Sequence, residues 1–235
     1  RISVKLYRRE RISGCSKSTG CGIKKVLFNG QKPESVKQAP CIKKNEAFKT
    51  SGQVQYVAQN GNFRKKGLEY TGALEILKVI LSYDYLWINL RVKGGAYGCM
   101  SGFKRNGESF LVSYRDPHLK RTLEVYQGVP DYIRAFEADE REMTKYIIGT
   151  ISNKDVPRTP QMQGSISKTA YFSNVTEDML QKERNQILGA QKEDIQKLAA
   201  LVEAVLSDDQ ICVVGSETAI EKAEDVFMEV KPLIG

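Results

Sequence analysis

With one histidine in 235 residues, the chain cannot assemble any site that needs two imidazoles. It also lacks a long apolar run. Nothing in it approaches the roughly 20 residues that a membrane-spanning helix requires, so no membrane partner is expected. Its five cysteines, Cys15, Cys21, Cys41, Cys99 and Cys212, are an odd number without a CxxC pair. That argues against a disulfide framework and for reduced thiols in a cytosol-like compartment. Cys15 and Cys21 stand in a Ser/Gly-rich stretch with no second ligand pair, which is too little for a zinc knuckle.

Acidic residues are scarce only at the start. Residues 1–50 hold 13 Lys/Arg against 3 Asp/Glu, a balance of +10, whereas the remaining 185 residues hold 23 against 25, a balance of −2. The net charge of +8 therefore belongs to the first segment. A basic arm invites a nucleic-acid reading. This one has few aromatics for stacking and no helix-turn-helix or zinc-finger spacing, so it reads as solvated surface and nucleic acid is not the expected partner. Pro33, Pro40 and several lysines make residues 35–44 a linker. The expected division is a basic segment over 1–44 and one domain over 45–235. Because the chain opens on Arg1, it is expected to be a piece of something longer.

What is present is an α+β pattern with 41% hydrophobic content, enough for a sizeable core. Strands are expected at Ile2–Tyr7, Glu46–Thr50 and Gln53–Gln59, the last closed by a turn at Asn60-Gly61-Asn62. Leu68–Leu90 carries two apolar stripes, one through Leu74, Leu77, Leu81, Tyr85 and Ile88 and one through Ala73, Ile76, Ile80, Tyr83, Trp87 and Leu90, and is read as a helix packed between layers. Tyr97–Phe103 and Glu108–Tyr114 form a hairpin, in which Asn106-Gly107 favours a type I′ turn. A helix is expected from Asp116, broken at Gly128-Val129-Pro130, and another from near Asp139. After a loop over Ser152–Pro160, helices are expected at Gln161–Phe172, Glu177–Leu188, Glu193–Leu206 and Glu217–Phe227, with a buried strand at Gln210–Gly215. Strands followed by segregated helices imply an antiparallel sheet covered mainly on one face.

The chemistry concentrates after the long helix, in Leu90-Arg91-Val92-Lys93-Gly94-Gly95-Ala96-Tyr97-Gly98. Arg91 is a permanent cation with a forked set of donors. Six residues on, across a Gly-Gly turn, Tyr97 offers a phenol that can donate to an oxygen gathering negative charge. Together they could hold a peptide carbonyl and stabilise an oxyanion, but they cannot generate a nucleophile. The ordinary alternative is an arginine serving the helix dipole and a tyrosine entering the core.

This segment, with Val54-Gln55-Tyr56-Val57, Ser113-Tyr114-Arg115-Asp116-Pro117 and Ile147-Ile148-Gly149-Thr150-Ile151, resembles the C-terminal half of pitrilysin-type (inverzincin) zinc peptidases, in the presequence protease branch. The resemblance is carried from about residue 45. Before it, Ser13–Gly22 shows no helical stripe where that family has an amphipathic helix. Such enzymes pair repeated α+β units into two halves that close around a peptide chamber. Their zinc is held by His-x-x-Glu-His in the N-terminal half. His118 alone cannot supply that motif. It follows Asp116-Pro117, an N-cap and first-turn pair, and reads as an ordinary first-turn residue.

The resemblance therefore implies a substrate-binding, oxyanion-stabilising domain of a zinc endopeptidase that degrades unstructured peptides. Zinc would be bound by the N-terminal half of the same polypeptide, which this chain does not contain, and the domain alone would be inactive. Arg91 and Tyr97 match the arginine and tyrosine that the family inserts into the active site. Arg91 would bind a substrate backbone oxygen, and Tyr97 would donate to the carbonyl oxygen as water attacks. Gly94 and Gly95 are assigned only the bend, and Lys93 nothing. A non-catalytic peptide-binding or structural relative is the alternative, and a basic nucleic-acid-binding domain is the third reading. The bacterial cytoplasm is the favoured address, with mitochondria or another organelle open.

Overall fold

A computed structural model of the chain describes residues 44–233. The strand expected at Ile2–Tyr7, the Ser13–Gly22 stretch and nearly all of the basic arm lie outside the described residues. Contacts divide the chain into two compact units. The main one runs through Lys154 and resumes at Lys182, and residues 155–181 fall in the other.

The main unit is built on a six-stranded sheet in the order β3-β4-β2-β5-β1-β6. The strands are β1 (Glu46–Thr50), β2 (Gln55–Asn62), β3 (Gly98–Phe103), β4 (Glu108–Asp116), β5 (Gln210–Ser216) and β6 (Glu229–Pro232). Pairings among β3, β4, β2 and β5 are antiparallel, as expected. At the far edge, β1 runs parallel to both β5 and β6. Strand β6 carries no alternating apolar pattern that would announce it. Alternation sets the faces elsewhere: Gln55, Val57, Gln59 and Gly61 of β2 are buried, while Tyr56 and Asn60 face out. In β5, Ile211, Val213 and Gly215 are buried by the same two-residue period.

Helices cover the buried face. The expected Leu68–Leu90 helix begins as α1 (Ala73–Ile80), then widens into π-helical turns at Leu81–Tyr85 and Trp87–Val92. The Leu86 N–H reaches back to the Leu81 carbonyl and the Lys93 N–H to that of Ile88, five residues each. Widening explains the register. Leu81 and Leu86 are five apart, a step that leaves the face of a regular α-helix, yet both are buried along with Leu90. The helix is not packed on two sides throughout. Tyr83, Trp87, Ile88 and Val92, three of them expected in apolar stripes, are exposed.

After the hairpin come α2 (Lys120–Gln127), α3 (Val129–Arg134) and α4 (Glu140–Lys154). The first starts four residues later than expected, because Asp116 ends β4 instead. Its Oδ1 accepts the His118 N–H at 2.9 Å and its Oδ2 the Thr122 hydroxyl at 2.7 Å. Asp139 and Glu142 form a reciprocal capping box at the start of α4. Two short helices, α7 (Lys192–Gln196) and α8 (Ala199–Leu206), replace the single expected one, and α8 packs on β2. The last expected helix stops early as α9 (Glu217–Glu221). In the hairpin loop only Gly107 is left-handed, and Lys104 and Glu108 close it with a 2.9 Å bond. That is a type I turn with a glycine bulge, not type I′. The unit 155–181 contains α5 (Pro160–Phe172), which starts behind Thr159, whose Oγ1 accepts the Met162 N–H at 3.3 Å. Next comes α6 (Glu177–Leu188).

One buried acid ties the layers of the main unit together. Glu183 of α6 is 4% exposed. It accepts from Arg105 Nε of the hairpin loop at 2.8 Å and from Lys154 at the end of α4. Removing one partner of a fully buried pair typically costs about 3–5 kcal/mol. Here Arg105 and Lys154 are 37% and 28% exposed and can rehydrate. Glu183→Ala is therefore expected to lower the unfolding free energy by about 2–3 kcal/mol, seen as a lower urea midpoint at unchanged slope. An unchanged midpoint would show that the clasp contributes nothing.

Candidate functional site

The chain leaves the long helix through a short, tightly held turn. Leu90 and Ala96 are buried on either side of it and fix its two ends. Gly95 takes φ 78°, a left-handed conformation that closes the helix, and its N–H donates to the Arg91 carbonyl at 2.9 Å. The Ala96 N–H reaches the Leu90 carbonyl at 2.9 Å. Next to these buried anchors, Arg91 after Leu90 and Tyr97 after Ala96 both stand exposed, Tyr97 at 57%. Tyr97 is thus not a core residue. Arg91 does not cap its helix: its Nη1 donates to the Tyr97 carbonyl at 2.8 Å.

The structure brings the two expected residues together and adds three that sequence reasoning missed. Trp87 lies one turn before Arg91, whose guanidinium carbon sits 4.2 Å from the indole centroid and 5.7 Å from that of Tyr97. From β4, Arg115 places its own guanidinium carbon 5.6 Å from the Tyr97 ring centroid. Tyr114 packs its ring at 5.6 Å from Tyr97, tilted by 59°. The result is a ladder of alternating rings and cations, each contact worth about 0.5–1 kcal/mol at exposed sites. The signal for Trp87 was its four-residue spacing from Arg91 on one helix. Arg115 comes from strand pairing, which sets Gly98 opposite Tyr114 and lets the Tyr97 N–H donate to the Arg115 carbonyl at 3.3 Å.

Arg91 spends one donor on Tyr97 and keeps the rest of its fork available. Such a group can donate to a carbonyl or carboxylate oxygen, and the phenol beside it can donate one further bond. The thiol near Arg91 adds no nucleophile. Burial pushes Cys99 up to about 11, outweighing the lowering by Arg91, so it stays protonated at neutral pH. His118 is exposed; its backbone N–H donates to Asp116 and its carbonyl accepts from the Thr122 hydroxyl. Among the described residues no group of three or more His, Cys, Asp or Glu side chains is placed to hold a metal ion. The donor set does not fit zinc. A cavity of about 610 Å³ lies at the other edge of the sheet, beside β1 and β6. There Lys49 is already paired with Glu217 and Glu221.

The PreP C-terminal domain family matches residues 45–217. The chain belongs to this family. The matched span holds β1 to β5, the long helix and the turn that carries Arg91 and Tyr97. "Protein HypA" of Clostridium perfringens is 50% identical over 192 residues, covering 82% of this chain and 20% of that protein. "Presequence protease 1, chloroplastic/mitochondrial" of Arabidopsis thaliana is 34% identical over 192 residues, covering 80% and 18%. The chain thus spans about a fifth of the length of these relatives. In fold it is similar to a peptidase M16 inactive domain from Pseudomonas fluorescens, with TM-score 0.59 and 16% identity over 94% of this chain and 51% of that one. Pitrilysin gives a TM-score of 0.57 with 18% identity, covering 85% and 22%. No helix among the described residues is long and apolar enough to cross a membrane.

Proposed function

We propose that this domain binds unstructured peptides for a zinc-dependent endopeptidase and stabilises the oxyanion formed during cleavage. The metal and the nucleophile would be supplied by an N-terminal half of the same polypeptide. The observation that carries the reading is the exposure of a guanidinium with donors left over and a phenol, on a turn with buried residues at its ends. Exposed groups on a rigid frame are what positioning chemistry requires.

Arg91 holds a backbone oxygen of the peptide with the donors it has left. Tyr97 donates its phenolic proton to the carbonyl oxygen as charge builds there, an interaction stronger in the transition state than in the bound substrate. Zinc, held elsewhere, would supply the activated nucleophile. This chain contributes orientation and charge stabilisation only.

The alternative is a peptide-binding relative without catalysis, since an exposed guanidinium and phenol can hold a peptide carbonyl whether or not a metal faces them. The full-length polypeptide separates the two. Hydrolysis of an unfolded peptide that disappears on chelation and falls in Arg91→Ala supports the peptidase. Arg91-dependent binding without hydrolysis supports the relative, and activity untouched by Arg91→Ala sinks both.

A further inference from the structure

On the reading of Arg91 and Tyr97 just given, we propose that Arg115 is a specificity-determining residue of the same site, binding a carboxylate of the peptide beside Tyr97. Three observations carry this. The first is backbone geometry. Arg115 sits at φ 50°, in the left-handed region, where β4 bulges against β2. There Tyr114 and Arg115 share the single opposing residue Tyr56, because Gln55 pairs with Asp116 and Val57 with Ser113. Glycine holds such a bulge without strain. An arginine there accepts strain in order to present a side chain, and strained residues of this kind cluster at ligand sites.

The second observation is what that side chain does. Its guanidinium lies over the exposed Tyr97 ring and pairs with no carboxylate among the described residues. Its backbone carbonyl accepts the Tyr97 N–H at 3.3 Å, which ties the bulge to the Tyr97 backbone.

The third is the local charge. Residues 85–97 and 113–121 bring Arg91, Lys93, Arg115 and Arg121 to one exposed surface, with the Arg121 Nη1 donating to the Lys93 carbonyl at 3.2 Å. The only acid in these segments is Asp116, which is 1% exposed and already engaged by His118 and Thr122. Lys120 of the same segment is paired with Asp225, but none of these four cations forms an ion pair among the described residues, and such a cluster attracts an anion. A planar fork matches a carboxylate bidentately, which suits Arg115 to the free C-terminus or an Asp/Glu side chain of a peptide.

The test uses the full-length polypeptide and matched unstructured peptides. One series carries Glu or Gln at successive positions, and the other ends in a free carboxylate or an amide. The parent protein is expected to favour one carboxylate form about tenfold in kcat/KM over its uncharged twin. Arg115→Gly, which suits the left-handed bulge, should bring that ratio to about one without disturbing the fold. Arg115→Lys keeps the charge without the fork and should retain part of the preference. Loss in the first series assigns an acidic side chain, and loss in the second assigns the C-terminus. A parent without preference, or a preference that survives Arg115→Gly, overturns the proposal. Normal turnover by Tyr97→Phe overturns the underlying site reading and this proposal with it. Impaired turnover by Tyr97→Phe, together with a preference that survives Arg115→Gly, overturns the role of Arg115 alone.

Discussion

Tyr97→Phe in the full-length polypeptide is expected to lower kcat by about 10²–10³, with KM changed far less, because one oxyanion donor is typically worth about 2.7–4 kcal/mol of the barrier. The substitution is clean for structural reasons. Arg91 bonds the Tyr97 backbone carbonyl, not its hydroxyl, so that bond survives. The ring keeps its contacts with Arg91, Arg115 and Tyr114. At 57% exposure the phenol contributes little to the core, so stability should be unchanged. What is removed is one proton aimed at an oxygen whose charge grows only in the transition state. Loss in kcat and kcat/KM together is the signature of such an interaction. Turnover within about threefold of the parent would leave Tyr97 no role in stabilising charge.

The pair was legible in sequence because its chemistry lies in one nine-residue segment. A guanidinium, a glycine turn and a phenol in that order needed only a helix end to be placed together, and the long apolar stretch supplied one. Arg115 was not legible. It reaches Tyr97 through strand register and a bulge, neither of which leaves a periodic trace. Trp87 was visible but misassigned, since an apolar stripe gives no sign that π-helical turns will carry part of it to the surface. Element existence survived better than boundaries. The α+β class followed from period-2 and period-3.6 patterns, whereas the parallel β1–β5 and β1–β6 pairings depend on where distant segments return. Polar residues hid other structure: Asp116 looked like a helix cap and instead ends a strand while holding two later donors.

Gly61 shows the same limit and gives the largest expected effect on stability. Asn60-Gly61-Asn62 has turn composition, yet β2 continues through all three residues. The glycine serves approach, not bending. A Cβ at position 61 would lie 2.1 Å from the Val205 carbonyl oxygen, 2.8 Å from its carbon and 3.0 Å from its Cα. Those are backbone atoms of α8, which cannot rotate away as a side chain tip can. The whole helix would have to lift from β2, loosening Leu201, Val202 and Val205, all within the buried core. Asn62 would be disturbed as well, since its N–H donates to Asp208 Oδ2 just beyond that helix, at 2.9 Å. Overpacking usually costs about 1–3 kcal/mol when side chains can adjust, and a backbone clash belongs at or above the top of that range. Gly61→Ala should therefore destabilise by at least about 3 kcal/mol, a large fraction of a typical domain's stability. Gly164 supplies the control. It lies within α5 with nothing within 4 Å of an added Cβ, so Gly164→Ala should be neutral or stabilise by up to about 1 kcal/mol. Denaturant midpoints of the two variants should move in opposite directions or differ sharply. If Gly61→Ala unfolds like the parent, α8 does not rest on β2 as described, and the frame that holds the site must be redrawn.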